Sequence, residues 1–122
     1  MKTCLIVDDS RVVRKVAKRI VEGLGFKCGE AEDGQKAFES CRQELPDVVL
    51  LDWNMPVMSG IEFLEKLRQF DEAKKSKVIF CTTENDFAHI QRAMNAGADE
   101  YIMKPFDRDI IHSKFTQVGL ID

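Results

Sequence analysis

One short segment constrains the fold more than any other: an apolar run that ends in a carboxylate and is soon followed by proline. Residues 48–51 (VVLL) run directly into Asp52, and Pro56 lies four positions beyond it. An apolar run of this length predicts a strand that is buried on both faces, as in the middle of a parallel sheet. Pro56 has no backbone N–H and restricts the residue before it, so the strand must end earlier. Asp52 is therefore predicted to lie at the carboxyl end of a central strand, where open α/β sheets bind their ligands.

The rest of the chain repeats the order strand, then helix, five times. The predicted strands are 4–7, 26–31, 48–51, 78–81 and 100–103, and the helices that follow them begin near residues 10, 35, 59, 86 and 107. The segment 26–31 is the most polar of the strands and is predicted to lie near an edge of the sheet. Alternating strands and helices with short connections predict one parallel sheet that is covered by helices on both faces.

Some details of packing follow from the same patterns. The first helix has apolar residues at helical spacing that are expected to face the sheet: Val13, Val16, Ala17, Ile20 and Val21. The charged and polar stretch 71–77 is expected to be a solvated loop. His89 and His112 are expected to be surface helix residues that bind no metal, because no other ligands cluster near them in the sequence.

Composition excludes several classes of protein. The chain has 122 residues, enough for one domain, and its formal net charge of −3 gives no general attraction to nucleic acid or to anionic membranes. Its apolar runs are too short to span a membrane, and the N-terminus has no signal-peptide pattern. Cys4, Cys28, Cys41 and Cys81 are widely spaced, without a C-x-x-C pair. We therefore expect reduced cysteines in a cytoplasmic protein.

Polar side chains follow four of the five predicted strands. They are Asp8 and Asp9 after the first strand, Asp52 after the third, Thr82 after the fourth and Lys104 after the fifth. Because parallel strands end at the same edge of a sheet, these groups are expected to share one shallow site. Three carboxylates within roughly 5 Å of one another repel by a few kcal/mol per pair at an effective dielectric of about 20, so they must protonate, move apart or share a cation.

The chemistry of this set suits phosphoryl transfer. Carboxylate oxygens at an open edge are ligands that Mg²⁺ prefers, usually together with waters and a phosphate. Lys104 supplies a positive charge and Thr82 a hydroxyl donor, and both suit the oxygens of a phosphoryl group in transfer. A central carboxylate is a competent nucleophile, so the sequence predicts an aspartyl phosphate on Asp52.

Further positions accompany the acidic residues: the block 51–56, Gly60, Thr82, Tyr101 and the triplet 104–106. Together they resemble the response-regulator receiver domains of two-component signalling, over the whole chain, and the run 52–56 is most similar to the stand-alone chemotaxis regulators of that family. The resemblance implies a doubly wound (βα)5 flavodoxin-like α/β sandwich whose five-stranded parallel sheet has the order 2-1-3-4-5. It also implies one receiver domain over residues 1–122 without an effector domain, so that output passes through a partner.

The resemblance implies roles for the site residues. Asp52 would accept a phosphoryl group from a histidine kinase or a histidine phosphotransfer protein. Asp9 would bind Mg²⁺ directly, Asp8 would help through a water or by orientation, and Asp52 and the backbone carbonyl of Asn54 would complete the metal site. Lys104 would contact the phosphate, next to a Lys–Pro bond that is often cis in this family. Such a protein is not an enzyme in the ordinary sense, because it catalyses only its own phosphorylation and dephosphorylation.

The resemblance also implies a switch. Thr82 would move toward the phosphoryl group and Tyr101 would turn inward after it, although spacing alone is equally compatible with a half-buried sheet residue at Tyr101. An output protein would bind the fourth helix, fifth strand and fifth helix, including Ile90, Tyr101 and Lys114. Ile90 is also open to a core role, which the rotation of its helix decides. Side chains at Asn54 and Glu84 are expected to influence how fast water removes the phosphate.

Two other interpretations remain open from the residues. Phosphatases of the haloacid-dehalogenase type also end an apolar strand in a nucleophilic aspartate, but they carry a second Asp two positions on as general acid, where this chain has Asn54. A receiver-like binding module that is never phosphorylated usually lacks a residue of the acidic pocket, and this chain keeps them all. A phosphoacceptor switch is therefore the preferred hypothesis.

Overall fold

The chain folds into five strand–helix units in the order that its hydrophobic pattern predicts. The computed structural model describes residues 1–70, 75–83 and 87–121. The elements are β1 (Thr3–Val7), α1 (Arg11–Gly23), β2 (Lys27–Ala31), α2 (Gly34–Gln43), β3 (Val48–Asp52), α3 (Gly60–Phe70), β4 (Lys77–Thr82), α4 (Phe87–Asn95), β5 (Glu100–Met103) and α5 (Arg108–Gln117).

Local sequence determines where several helices begin and end. The side chains of Ser10, Asp33 and Asp107 each accept a hydrogen bond from a backbone N–H three residues on, and so cap α1, α2 and α5. Past the end of α1, Gly25 adopts a φ of +95°, a conformation that glycine takes at little cost. The Ser10 cap places the first turn of α1 directly after the acidic pair, Asp8 and Asp9.

All five strands are parallel and lie in the order β2-β1-β3-β4-β5, so the predicted sheet is confirmed. The polar strand β2 lies at one edge, as expected, and every residue of β3 is buried. After forming β2 on one side of β1, the chain crosses to the other side of β1 to form β3. The carboxyl ends of these two strands therefore flank the crevice in which sheets of this kind bind ligands.

The sheet has an apolar core on each face. One core lies under α2, α3 and α4 and includes Phe63 and Phe80, and the other lies under α1 and α5 and includes Phe115. All three phenylalanines are at most 1 % exposed. A fully buried aromatic side chain contributes about 1.5–3 kcal/mol relative to an exposed one, so the two cores hold the sheet rigid beneath its carboxyl edge.

Two predictions about packing are wrong. Val16 is 47 % exposed, because the sheet covers only the part of α1 that carries Ala17 and Val21, and Val16 lies beyond the edge of that stripe. Ser76 was expected in a solvated loop, but it is fully buried and its Oγ donates to Pro46 O at 2.6 Å. The first part of that predicted loop, residues 71–74, lies outside the described residues.

The described part of the chain also bears on the predictions about membranes and cysteines. Over these residues, no helix combines the length and the apolar character that a membrane crossing requires. All four cysteines are free thiols, and Cys28 is the one that is not fully buried.

Candidate functional site

Three carboxylates lie together at the carboxyl edge of the sheet, as the strand ends predict. Asp8 directly follows β1, Asp9 is next, and Asp52 is the last residue of β3. One carboxylate oxygen from each lies within 4.8 Å of the others. Asp8 is 3 % exposed and Asp52 is 9 % exposed, whereas Asp9 is open to solvent. The cluster is thus buried on one side and accessible on the other, which suits a group that must meet a partner.

Lys104 holds two of these carboxylates together. Its Nζ donates to Asp8 Oδ2 at 2.8 Å and to Asp52 Oδ1 at 3.0 Å, and its side chain is 17 % exposed. The Lys104 backbone N–H donates to Thr82 O at 2.8 Å, and the following bond to Pro105 is cis, as expected. Hydrogen bonds between charged groups are roughly twice as strong as neutral ones, so Lys104 partly offsets the repulsion between the two aspartates.

The surroundings shift the pKa values of Asp52 and Lys104. Burial raises the pKa of Asp52 above its ordinary value; the Lys104 hydrogen bond opposes this shift, and the negative charges of Asp8 and Asp9 add to it. Burial alone would lower the pKa of Lys104, but its hydrogen bonds to Asp8 and Asp52 outweigh burial and leave that pKa raised. Lys104 is therefore charged at neutral pH, while an ionised Asp52 is stabilised by any further cation that reaches it.

Asp8 is held by contacts that sequence reasoning missed. Its Oδ1 accepts from Ser10 N at 2.9 Å, its backbone carbonyl accepts from Arg14 Nη1 at 2.7 Å, and its N–H donates to Ala31 O at 3.1 Å. In contrast, none of the described residues donates a hydrogen bond to Asp9. Both carboxylate oxygens of Asp8 are thus already engaged, whereas those of Asp9 face solvent. In the sequence, Arg14 is one of five basic residues in the first helix, and nothing there singles it out as a contact of Asp8.

Gly60 allows α3 to begin directly behind Asp52. A Cβ atom at this position would lie 2.2 Å from Asp52 O and 2.9 Å from the Phe80 ring. The Gly60 N–H donates to Trp53 O at 3.0 Å, which ties the first turn of α3 to the residue after Asp52. The backbone that carries Asp52 is therefore fixed by a contact that only glycine permits.

The two predicted switch residues lie beside one small cavity. Thr82 is 6 % exposed at the end of β4, and Tyr101 is half-buried in β5. Both line a cavity of about 10 Å³ together with residues of α4 and the rings of Trp53 and Phe80. A cavity of this size has room for about one water molecule, so the Tyr101 ring cannot move further inward unless a neighbour moves first.

The three residues predicted to form a partner face, Ile90, Tyr101 and Lys114, differ in their surroundings. Lys114 Nζ lies 5.2 Å from the centroid of the Tyr101 ring and 3.4 Å from Glu100 Oε1, so Tyr101 and Lys114 contact each other at the surface. Ile90 is half-buried and lines the small cavity. The rotation of α4 therefore points Ile90 partly toward the core, one of the two orientations that the sequence left open.

His89 is not the surface residue that the sequence predicted. It is half-buried, and its ring centroid lies 5.1 Å from that of Trp53, which in turn lies 5.1 Å from Phe80. The reason is that the Trp53 ring turns toward α4 after β3 ends and takes His89 as a packing partner. Asn54 is exposed beside the site, and Glu84 lies outside the described residues.

The chain is similar to known proteins in sequence. A family model for the response regulator receiver domain matches residues 4–116. Chemotaxis protein CheY1 of Helicobacter pylori is 36% identical over 116 residues, which cover 93% of this chain and 94% of that protein. Chemotaxis protein CheY-3 of Vibrio cholerae is 36% identical over 115 residues, which cover 93% of this chain and 88% of that protein.

Solved structures agree with the sequence matches. The chemotaxis response regulator CheY4 of Vibrio cholerae has a TM-score of 0.90 and 30% identity, with 97% of this chain and 98% of that chain covered. A chain of the CheX–CheY–BeF3–Mg²⁺ complex from Borrelia burgdorferi also has a TM-score of 0.90 and 30% identity, with 96% and 88% covered. The family match spans nearly all of the sequence and the fold is shared throughout, so this chain belongs to the response-regulator receiver domain family.

Proposed function

We propose that this chain is a phosphorylation-dependent switch in which Asp52 accepts a phosphoryl group from a histidine kinase or a histidine phosphotransfer protein. The observation that carries the proposal is the cluster of Asp8, Asp9 and Asp52 around the Lys104 ammonium at the carboxyl edge of the sheet. The similarity to chemotaxis proteins over 93% of the chain supports a role in chemotaxis-type signalling. The protein is then a signalling switch, and its only catalysis is its own phosphorylation and dephosphorylation.

Each residue of the cluster has a distinct task in this reaction. Asp52 Oδ2 is the nucleophile, because Oδ1 is already engaged by the Lys104 ammonium. Lys104 lies where it can follow the developing negative charge on the transferring oxygens and hold the phosphorylated product. The buried walls around Asp52 fix the direction of attack, which lowers the orientational cost of transfer.

The donor set fits Mg²⁺, since hard oxygen atoms from three carboxylates converge at an edge that leaves room for waters. When bound, the ion neutralises charge on the phosphoryl oxygens. Asp9 is proposed as the direct ligand because its oxygens face solvent, and Asp8 as an indirect one because Ser10 and Lys104 already occupy its two oxygens. The exposed Asn54 would contribute its backbone carbonyl.

This ranking of the two aspartates is testable by Mg²⁺ titration of Trp53 fluorescence. Asp9→Ala should lose affinity for Mg²⁺ by a larger factor than Asp8→Ala. Asp107→Asn is a charge-matched control, because it removes a carboxylate that is not one of the three clustered ones, and Asn keeps the cap of α5. Equal losses in the two variants, or a larger loss in Asp8→Ala, would refute the ranking.

Phosphorylation is proposed to reach the surface through Thr82 and Tyr101. The phosphoryl oxygens on Asp52 attract the Thr82 hydroxyl, and its movement opens the space that the Tyr101 ring needs. The ring then leaves Lys114 and changes the face formed by α4, β5 and α5, where an output protein binds. Lys114→Ala should therefore alter phosphorylation-dependent binding in a pull-down, whereas Lys66→Ala on the exposed side of α3 should not.

The proposed phosphorylation itself is tested with acetyl phosphate and Mg²⁺. Wild-type protein should gain the mass of one phosphoryl group, and the gain should disappear in Asp52→Asn and without Mg²⁺. Asp107→Asn should be phosphorylated like the wild type. A mass gain in Asp52→Asn equal to that of wild type would place the phosphoryl group elsewhere, and no gain in wild type would favour the binding module that is never phosphorylated.

A further inference from the structure

Two of the four cysteines face each other across the edge of the sheet. Cys4 in β1 and Cys28 in β2 are register partners in adjacent parallel strands. Both side chains lie on the same face, since Cys4 is buried in the core under α1 and α5 and Cys28 packs half-buried against it. Neighbouring strands lie about 4.8 Å apart, within the range of about 4.4–6.8 Å between Cα atoms of disulfide-bonded cysteines.

We propose that Cys4 and Cys28 form a redox site at which hydrogen peroxide converts the two thiols to an intramolecular disulfide. In the first step the Cys28 thiolate attacks a peroxide oxygen, the O–O bond breaks, and the second oxygen leaves as hydroxide, which takes up the proton that Cys28 released. In the second step the Cys4 sulfur attacks the Cys28 sulfenic acid, an S–S bond forms, and the sulfenic oxygen leaves as water with the Cys4 proton. The sulfurs lose two electrons and the peroxide becomes two water molecules.

The surroundings of the two thiols explain the order of the steps. The neighbouring Cys4 thiol lowers the pKa of Cys28; partial burial and the charges of Glu22 and Glu30 act against this shift, and the Lys18 ammonium adds to it. Burial raises the pKa of Cys4 well above its ordinary value. Cys28 is therefore the more readily ionised and more exposed of the two thiols and is assigned the attack on the oxidant, and Cys4 is the neighbouring thiol that resolves the sulfenic acid.

The other two cysteines lie where they cannot join this reaction. Cys41 belongs to the core on the opposite face of the sheet. Cys81 is in β4, and because β3 lies between β4 and β1, two strand spacings of together about 10 Å separate it from Cys4. Burial also raises the pKa of Cys81 to about 12, so it is unreactive at neutral pH. Both are matched controls for the pair.

The position of the pair separates it from phosphorylation. Cys4 lies near the amino end of β1 and Asp8 follows the other end, about 13 Å away at 3.3 Å per residue. The strand β2 is paired on one side only, so it can shift slightly as the bond closes without disturbing β3. Oxidation and phosphorylation can therefore be measured independently.

The test exposes reduced protein to hydrogen peroxide, denatures it, and counts the remaining thiols by mass spectrometry after treatment with N-ethylmaleimide. Two of the four thiols should be lost, dithiothreitol should restore them, and one cross-linked peptide pair should contain Cys4 and Cys28. Cys4→Ser should stop at a sulfenic acid on Cys28 that dimedone captures. Cys41→Ser and Cys81→Ser should still lose the same two thiols as the wild type.

Three results would overturn the proposal: all four wild-type thiols persist, the disulfide includes Cys41 or Cys81, or Cys28→Ser loses thiols at the wild-type rate. Because Cys4 is buried, its serine variant is first checked by thermal melting. If it unfolds, Cys28→Ser at the half-buried position decides the matter, since it removes the attacking sulfur without adding a hydroxyl to the core.

Discussion

Replacing Gly60 with alanine adds one carbon atom, the Cβ, next to the backbone that carries Asp52. The new Cβ would lie 2.2 Å from Asp52 O and 2.9 Å from the Phe80 ring. Since carbon atoms prefer non-bonded neighbours at about 3.5 Å, either α3 or the end of β3 must move by about 1 Å. Phe80 is 1 % exposed and Asp52 O is a backbone atom, so neither neighbour can turn away as a flexible side chain would.

The size of the effect follows from this geometry. Overpacking a core costs about 1–3 kcal/mol, and we expect a loss near the upper end, about 3 kcal/mol in the free energy of unfolding, because the clash is with backbone. That loss corresponds to a decrease in Tm of roughly 10–15 °C for a chain of this length. A displacement of about 1 Å at the nucleophile should also slow phosphorylation on the order of 10- to 100-fold.

Gly23→Ala is the matched control for this substitution. Apart from its own helix backbone and chain neighbours, no atom of the described residues lies within 4 Å of a Cβ built at Gly23, the last residue of α1, so alanine should stabilise the protein by about 0.5–1 kcal/mol. Urea unfolding followed by Trp53 fluorescence measures stability, and a gel that retards phosphoproteins measures phosphorylation. If Gly60→Ala stays within about 0.5 kcal/mol of wild type and is phosphorylated at the wild-type rate, the argument from close packing is refuted.

Three further substitutions test the charges. Because burial raises the pKa of Asp52, the folded state binds this proton more tightly than the unfolded state, and stability is lost as pH rises through the folded pKa. Asp52→Asn should therefore be more stable than wild type at pH 7 without Mg²⁺. Urea unfolding at pH 3, where Asp52 is protonated in both states, should show no such advantage. In EDTA, Lys104→Met should lose about 2 kcal/mol in the free energy of unfolding. This is less than the loss from breaking a fully buried ion pair, because the site is open to water on the side of Asp9, and Mg²⁺ should restore part of it. Equal stability of Lys104→Met in EDTA and in Mg²⁺ would contradict this prediction. Arg68→Ala should lose about 3 kcal/mol in urea unfolding, because the Arg68 guanidinium donates to Asp99 and to the carbonyls of Gly97 and Ser76; a loss below about 1 kcal/mol would refute that anchor.

The acidic cluster was predictable because it depends on topology alone. Once alternating strands and helices imply a parallel sheet, the residues after each strand must meet at one edge, whatever their side chains do. Asp8, Asp52 and Lys104 lie within hydrogen-bonding distance for that reason. The exposed position of Asp9 is the one part of this set that strand ends alone do not determine.

Other features depend on how one element rotates against another, and a linear pattern does not encode that. The buried Ser76 lies in a polar stretch, where its Oγ donates to Pro46 O and its carbonyl accepts from Arg68, contacts that the local sequence does not show. Among the residues three or four positions from His89 in the sequence, Ala93 is the only apolar one, and the burial of His89 also depends on the direction in which the Trp53 ring turns. The exposure of Val16 shows the converse, since an apolar stripe can be wider than the sheet that covers it.

The charges at the carboxyl edge explain why phosphorylation of Asp52 would draw Thr82 toward it. The three clustered carboxylates carry three negative charges when ionised, and Lys104 balances one of them. A divalent ion is the simplest complement to the two that remain. A phosphoryl group on Asp52 carries about two negative charges where the carboxylate carried one. Lys104 shares its ammonium between Asp8 and Asp52, so it balances only part of the added charge. The Thr82 hydroxyl, at the end of the neighbouring strand β4, is the proposed additional donor, and any move it makes alters the cavity that it shares with Tyr101. In the proposed mechanism, the same excess charge that the site must neutralise would also carry the signal to the surface.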